Sequence, residues 1–181
     1  MKPIDFIHRE NPTPGTHYAC KDGFHFAMKH ETMCEVWKKC PRPDWLLWIL
    51  DKLNLKHERE RRLFACWCAE STPGSAPLTD QRSINAVRVS RMFVDGMSTE
   101  EELRNAANAA WSAANEALSA WSAWSATSAA AWAARSAWSA AEGSAAAAAR
   151  SAAEGSAAAA AARSAQANHL RALIPNPFEK E

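Results

Sequence analysis

The sequence has no surplus of charge of either sign, no long apolar run, no C-x-x-C pair and no glycine-rich phosphate loop. With 21 Lys and Arg against 20 Asp and Glu, the formal net charge is +1, so no strong overall field draws the chain to nucleic acid or to an anionic membrane. Ser, Arg, Glu and Gly interrupt the Ala tract before it could span a bilayer, and MKPIDFIHRENPTPG lacks the apolar stretch of a signal peptide. A soluble, intracellular protein is the expectation. Five cysteines without a C-x-x-C pair suit a reducing compartment better than a disulfide framework or a zinc finger. Without a strained nucleophile turn, a glycine-rich oxyanion loop or a phosphate-cradling glycine pattern, the common signatures of acyl and phosphoryl transfer are missing.

What is present is apolar material of two extreme sizes. Nine Trp accompany an Ala content high enough to inflate the 48% hydrophobic fraction. Each Trp brings a large area to bury, so the chain as a whole is not too polar to fold. At 181 residues it has room for one domain, or for a small domain with a helical extension.

The first 15 residues hold three prolines and a glycine and read as extended, packed on the body through Ile4, Phe6 and Ile7. From His17 to His30, Tyr18, Phe24, Ala27 and Met28 can share a helical face. Thr32 with Glu35 makes a capping box, and CPRPD ends the helix that follows. Pro43 suits the first turn of DWLLWILDKL, which is apolar on most sides and therefore predicted to be the central helix of an N-terminal domain.

After a turn near Asn54, HERERRLFACWCAE places Leu63, Phe64, Trp67 and Cys68 on one face, with Arg59, Arg61 and Arg62 largely outside it. STPGSAP is a loop. Thr79 or Asp80 caps the next helix, whose inner face is expected from Ile84, Val87, Val89 and Phe93, and Asp95-Gly96 closes it. Ser98 and Glu101 read as a second capping box opening the Ala-rich region.

Ala is the best helix former, so this region is predicted helical to about residue 172. At about 100° per residue, Leu103, Trp111, Leu118, Trp121, Trp124 and Trp132 fall on one stripe, the simplest packing face for Ala helices. Trp138 falls opposite. Two copies of a dozen-residue unit follow, SAAEGSAAAAAR and SAAEGSAAAAAAR, with Gly143 and Gly155 either as breaks, Ser144 and Ser156 capping new helices, or as points where two helices cross at close range. The expected architecture is all-α, with an N-terminal domain of about five helices (1–97), an Ala/Trp-rich helical layer (98–174) and a short tail (175–181).

The residues offer four kinds of site. His17, Cys20, His25, His30, Cys34 and Cys40 are zinc-type ligands at poor spacing, and buried thiols with surface histidines explain them more simply. No metal or cofactor is expected. A Cys/His enzyme centred on Cys20 or Cys34 is the third-ranked functional class, the protein being read first as a non-enzyme. Trp132, Arg135, Trp138 and Arg150 are the candidate ligand or partner contacts, since Trp faces with interleaved Arg can stack bases or dock a protein. Ice binding lacks its regular Thr, Thr127 being nearly alone.

MCEVWKKCPRPDWLLWILDKL, RLFACWCAE, LTDQRSINAVRVSRMFVDGMSTEEEL and the closing HLRALIPNPF together resemble a group of Ala/Trp-rich helical proteins of bacteriophages and prophages. Arg82, Ser83, Asn85, Phe93, Asp95, Gly96 and Glu102 carry the most specific part of the likeness, while STPGSAP is longer than in many relatives. The Ala-rich part is also similar to proteins described as immunity proteins of toxin systems. The resemblance brings no catalytic residue. It implies an accessory protein that binds and inhibits or sequesters a host component, such as part of a defence system. A sponge for nucleotide signals is the second reading. Any Ala/Trp surface left uncovered would favour a homo-oligomer.

Overall fold

The computed structural model describes residues 1–7, 19–71, 78–116 and 159–179. All regular structure among them is helical, as the composition requires. The helices are α1 (Pro3–Ile7), α2 (Lys21–Ala27), α3 (Met33–Lys39), α4 (Pro43–Lys52), α5 (Glu58–Ser71), α6 (Gln81–Val94), α7 (Glu100–Glu116) and α8 (Ala159–Leu173). The first of these corrects the extended reading of the N-terminus: one helical turn begins at Pro3, whose missing N–H costs nothing there. Its Phe6 is buried as expected, but Ile4 is exposed.

Local chemistry sets the helix ends. Thr32 Oγ1 accepts the Glu35 N–H at 3.2 Å, while the Glu35 carboxylate accepts from Glu31, one residue before the cap. Asp80 rather than Thr79 caps α6, accepting the Arg82 N–H at 2.8 Å. The box that opens α7 lies one residue beyond the expected one. Thr99 Oγ1 accepts from Glu102 N at 3.2 Å and Glu102 accepts from Thr99 N at 2.8 Å.

Two helices end in the same left-handed device. After α4, Asn54 (φ 56°) lets Leu55 N donate to Leu50 O and Asn54 N to Asp51 O, both at 2.9 Å. After α6, Gly96 (φ 72°) lets Met97 N donate to Met92 O at 2.7 Å and Gly96 N to Phe93 O at 3.0 Å.

The main core gathers around α4, whose Leu46, Leu47, Ile49 and Leu50 are buried as its all-round apolarity predicted. Phe6, Met33, Val36 and Trp37 close it from α1 and α3, and Phe64, Ala65, Cys66 and Cys68 from α5. The chain returns to this core at its far end: Ala167 and Leu170 of α8, then Ile174 and Phe178, belong to the same apolar cluster. Phe178 meets Phe6 edge to face at 5.5 Å, joining residues from opposite ends of the sequence.

A second cluster forms where α7 lies along α6, the largest contact between described helices. The buried face of α7 is Leu103, Ala106, Ala107, Ala110, Ala113 and Ala114, a regular helical stripe of mostly single methyl groups. Opposite it stand small residues of α6, including Ala86 and Val89. Leu103 is buried as expected and Trp111 is half-buried at the margin of the stripe. Leu118, Trp121, Trp124, Trp132, Trp138, Gly143 and Gly155 lie outside the described residues.

The expected inner faces of α5 and α6 need correction. On α5 the buried positions are Arg61, Phe64, Ala65, Cys66, Cys68 and Ala69, while Leu63 and Trp67 are half-buried. On α6 they are Ser83, Ala86, Val87, Val89 and Ser90, and Ile84 is exposed. In both helices the true face obeys the i, i+3, i+4, i+7 spacing but includes polar residues, Arg61, Ser83 and Ser90, that the expected faces left out.

Candidate functional site

Trp132, Arg135, Trp138 and Arg150, the contact residues expected from sequence, all lie outside the described residues, as does His17. The structure does describe both attachments of the segment that carries those four. On the entry side, α7 is seated on α6 by its alanine face and tied at its last described residue. The Glu116 carboxylate accepts from Arg82 Nη1 and Nη2, each at 2.7 Å, while Asp80 takes the same guanidinium from the other side. Arg82 holds both carboxyls below their ordinary range, chiefly through these hydrogen bonds.

On the exit side, α8 is docked on α4 and α5 by Ala167 and Leu170. It is also pinned to α3. Arg171 Nη1 donates to Trp37 O at 3.1 Å and to Cys40 O at 2.7 Å, satisfying carbonyls that the end of α3 leaves without helical partners. Asn176 continues the attachment by donating from Nδ2 to Cys34 O at 3.3 Å and Sγ at 3.2 Å, while its Oδ1 accepts from Phe178 N at 3.0 Å.

The cysteines and histidines of the N-terminal third separate into different local roles. Cys20 is exposed, and its Sγ accepts the Gly23 N–H at 3.4 Å as the N-cap of α2. Cys34 is half-buried under Asn176, near the Lys38–Glu179 ion pair. Cys40 is buried and donates to Arg42 O at 3.3 Å. His30 packs edge-on against Phe26. Among the described residues no three His, Cys, Asp or Glu side chains come together as a metal-ligating group.

Cys66 and Cys68 are both fully buried, because α5 is covered on more than one side, by α6 and by α8. Burial pushes the Cys40 thiol up to about 11 and Cys66 up to about 12, and Cys68 rises well above the ordinary range. These three stay protonated and pack as small apolar groups.

The structure assembles one aromatic and charged group that the sequence spacing does not reveal. The ring of His169 on α8 lies flat on Trp67 of α5, with centroids 4.2 Å apart and planes 12° from parallel. Beside it Arg91 of α6 is paired with Glu70 of α5. Desolvation first, and the charge of Arg91 second, hold the His169 imidazole below its ordinary value. These residues come from three helices widely separated in sequence, so no local pattern joins them. The one available hint is that Trp67 sits at the margin of its helix's apolar face.

Comparison of the chain with protein-family models, with curated proteins and with solved structures finds no match. Among the described residues, no helix is long and apolar enough to cross a membrane.

Proposed function

We propose that this chain is a non-enzymatic accessory protein of a bacteriophage or other mobile element, which binds and inhibits or sequesters a protein of its bacterial host. The Ala/Trp-rich segment between α7 and α8 is its contact region, with Trp132, Arg135, Trp138 and Arg150 as the residues that touch the partner. The observation that supports this most is the anchoring of both flanking helices. Glu116 is clamped by Arg82 at one end, and Leu170, Arg171 and Asn176 lock α8 and its continuation to α3, α4 and α5 at the other. Such a body serves as a rigid base for the segment it holds, and a rigid base lowers the entropy cost of binding. The cysteines support the same reading, since Cys40, Cys66 and Cys68 are protonated packing groups and Cys20 and Cys34 accept structural hydrogen bonds.

The test is affinity capture from bacterial lysate with the wild-type chain and with a Trp132→Ala, Arg135→Ala, Trp138→Ala triple variant. One host protein should be retained at stoichiometric yield by the wild type and lost by the variant, with the melting temperature unchanged. Equal retention by both proteins, or background alone from the wild type, overturns the reading. Quenching of Trp fluorescence by nucleotides, abolished in Arg135→Ala, would replace it with nucleotide sequestration.

A further inference from the structure

We propose that the junction of α5 and α8 is a pH-sensitive seam, loosened when the imidazole of His169 takes up a proton. The seam is built around the flat contact of His169 with Trp67. Both rings are half-buried, so a charge placed on the imidazole has protein instead of water on one side. An indole face attracts a cation. Here the same cation would also face Arg91, which with the loss of water makes the neutral ring the preferred partner.

Among the described residues, the surrounding groups leave little to compensate an imidazolium. From α5, Glu70 has its carboxylate engaged by Arg91, and the Cys66 thiol is protonated. From α6, Arg91 is the opposing charge. On α8 itself, Arg171 is committed to the Trp37 and Cys40 carbonyls and to Asn168. α4, also packed on α8, directs Asp44 to Arg42, Asp51 to Arg61 and Lys52 to the Ile7 carbonyl.

The sign follows from linkage. An imidazole in the unfolded chain titrates near about 6.5, and the one in the seam titrates lower. The seam therefore has its full stability above about pH 6.5 and loses it as the pH falls through that value towards the lowered one. α8 is the helix by which the chain returns to its core after the Ala/Trp-rich segment. Acidification thus weakens one anchor of that segment while the Arg82–Glu116 anchor, whose carboxylate titrates below its ordinary range, persists.

Two measurements test this on the full chain. The first is the NMR titration of the His169 ring in the wild type, which should give a midpoint below that of an exposed histidine. The second is amide hydrogen exchange at about pH 7.5 and about pH 5.5, corrected for intrinsic rates, with peptides of α7 as the internal reference. Exchange in α8 relative to α7 should rise about 2- to 5-fold on acidification, and His169→Phe, which keeps a flat ring without a titrating group, should abolish the rise. A midpoint at or above the exposed value, no rise in the wild type, or an equal rise in both proteins overturns the proposal. The titration needs no variant, so misfolding of His169→Phe would not shield it.

Discussion

Arg61 shows how a single residue can reverse an expectation. It sits among charges in HERERR, which suggests a solvated first turn, yet it is 7% exposed. Its spacing to Phe64, Ala65 and Cys68 is that of one helical face, so position was informative and residue type misled. The side chain turns back under the end of α4, where Nη2 pairs with Asp51 at 2.5 Å and donates to Leu55 O at 3.1 Å. Nε and Nη1 are buried and have no hydrogen-bond partner among the described residues. A buried charge of this kind stabilises little in itself, but removing one member of a buried pair is costly. Arg61→Ala should lower the unfolding free energy by about 3–5 kcal/mol in urea titration, and Arg61→Met with Asp51→Leu should recover most of the loss. A cost below about 1 kcal/mol for Arg61→Ala would show that the pair is solvated and unimportant.

At the scale of the element, capping signals proved legible because their chemistry is local. Thr32, Asp80 and Gly96 act where the sequence placed them, and the box at α7 moved only from Ser98 to Thr99. Gly96 is the most informative stop. A Cβ there would meet nothing within 4 Å, so the requirement is the backbone angle of +72° and not space. Gly96→Ala should therefore cost about 1 kcal/mol in thermal or denaturant unfolding, and Gly96→Asn distinctly less, because Asn tolerates the left-handed region. Equal effects of the two would mean that the α6–α7 turn relaxes. The inner face of α6 was harder to read. Ser83, Ala86, Val87 and Ser90 keep the helical spacing, but two hydroxyls and a methyl carry little hydropathy signal, and Ile84 drew attention to the exposed side.

At the scale of the whole molecule, the decisive contact joins the two ends of the chain. α8 and the residues after it supply Leu170, Ile174 and Phe178 to a core otherwise built from α1 to α6. Leu170→Ala should thus cost about 2–5 kcal/mol, the penalty of a core cavity, and shift one cooperative transition monitored by circular dichroism. A loss confined to a small early transition, with the rest melting as in the wild type, would show that α8 is a separate layer. The contact of α6 with α7 is of a different kind: alanine faces bring two helices together with little side-chain volume between them, and the Arg82–Glu116 pair ties one end.

By itself the sequence determined the helical class, the central place of the DWLLWILDKL helix and most helix ends. These follow from propensity, capping chemistry and periodicity, all of which act over a few residues. Tertiary structure alone decided that Arg61 is buried and Ile84 exposed, that both Cys66 and Cys68 are core residues, and that His169 meets Trp67 beside Arg91. Each depends on which helices cover which faces, and that is set by contacts between residues far apart in the chain.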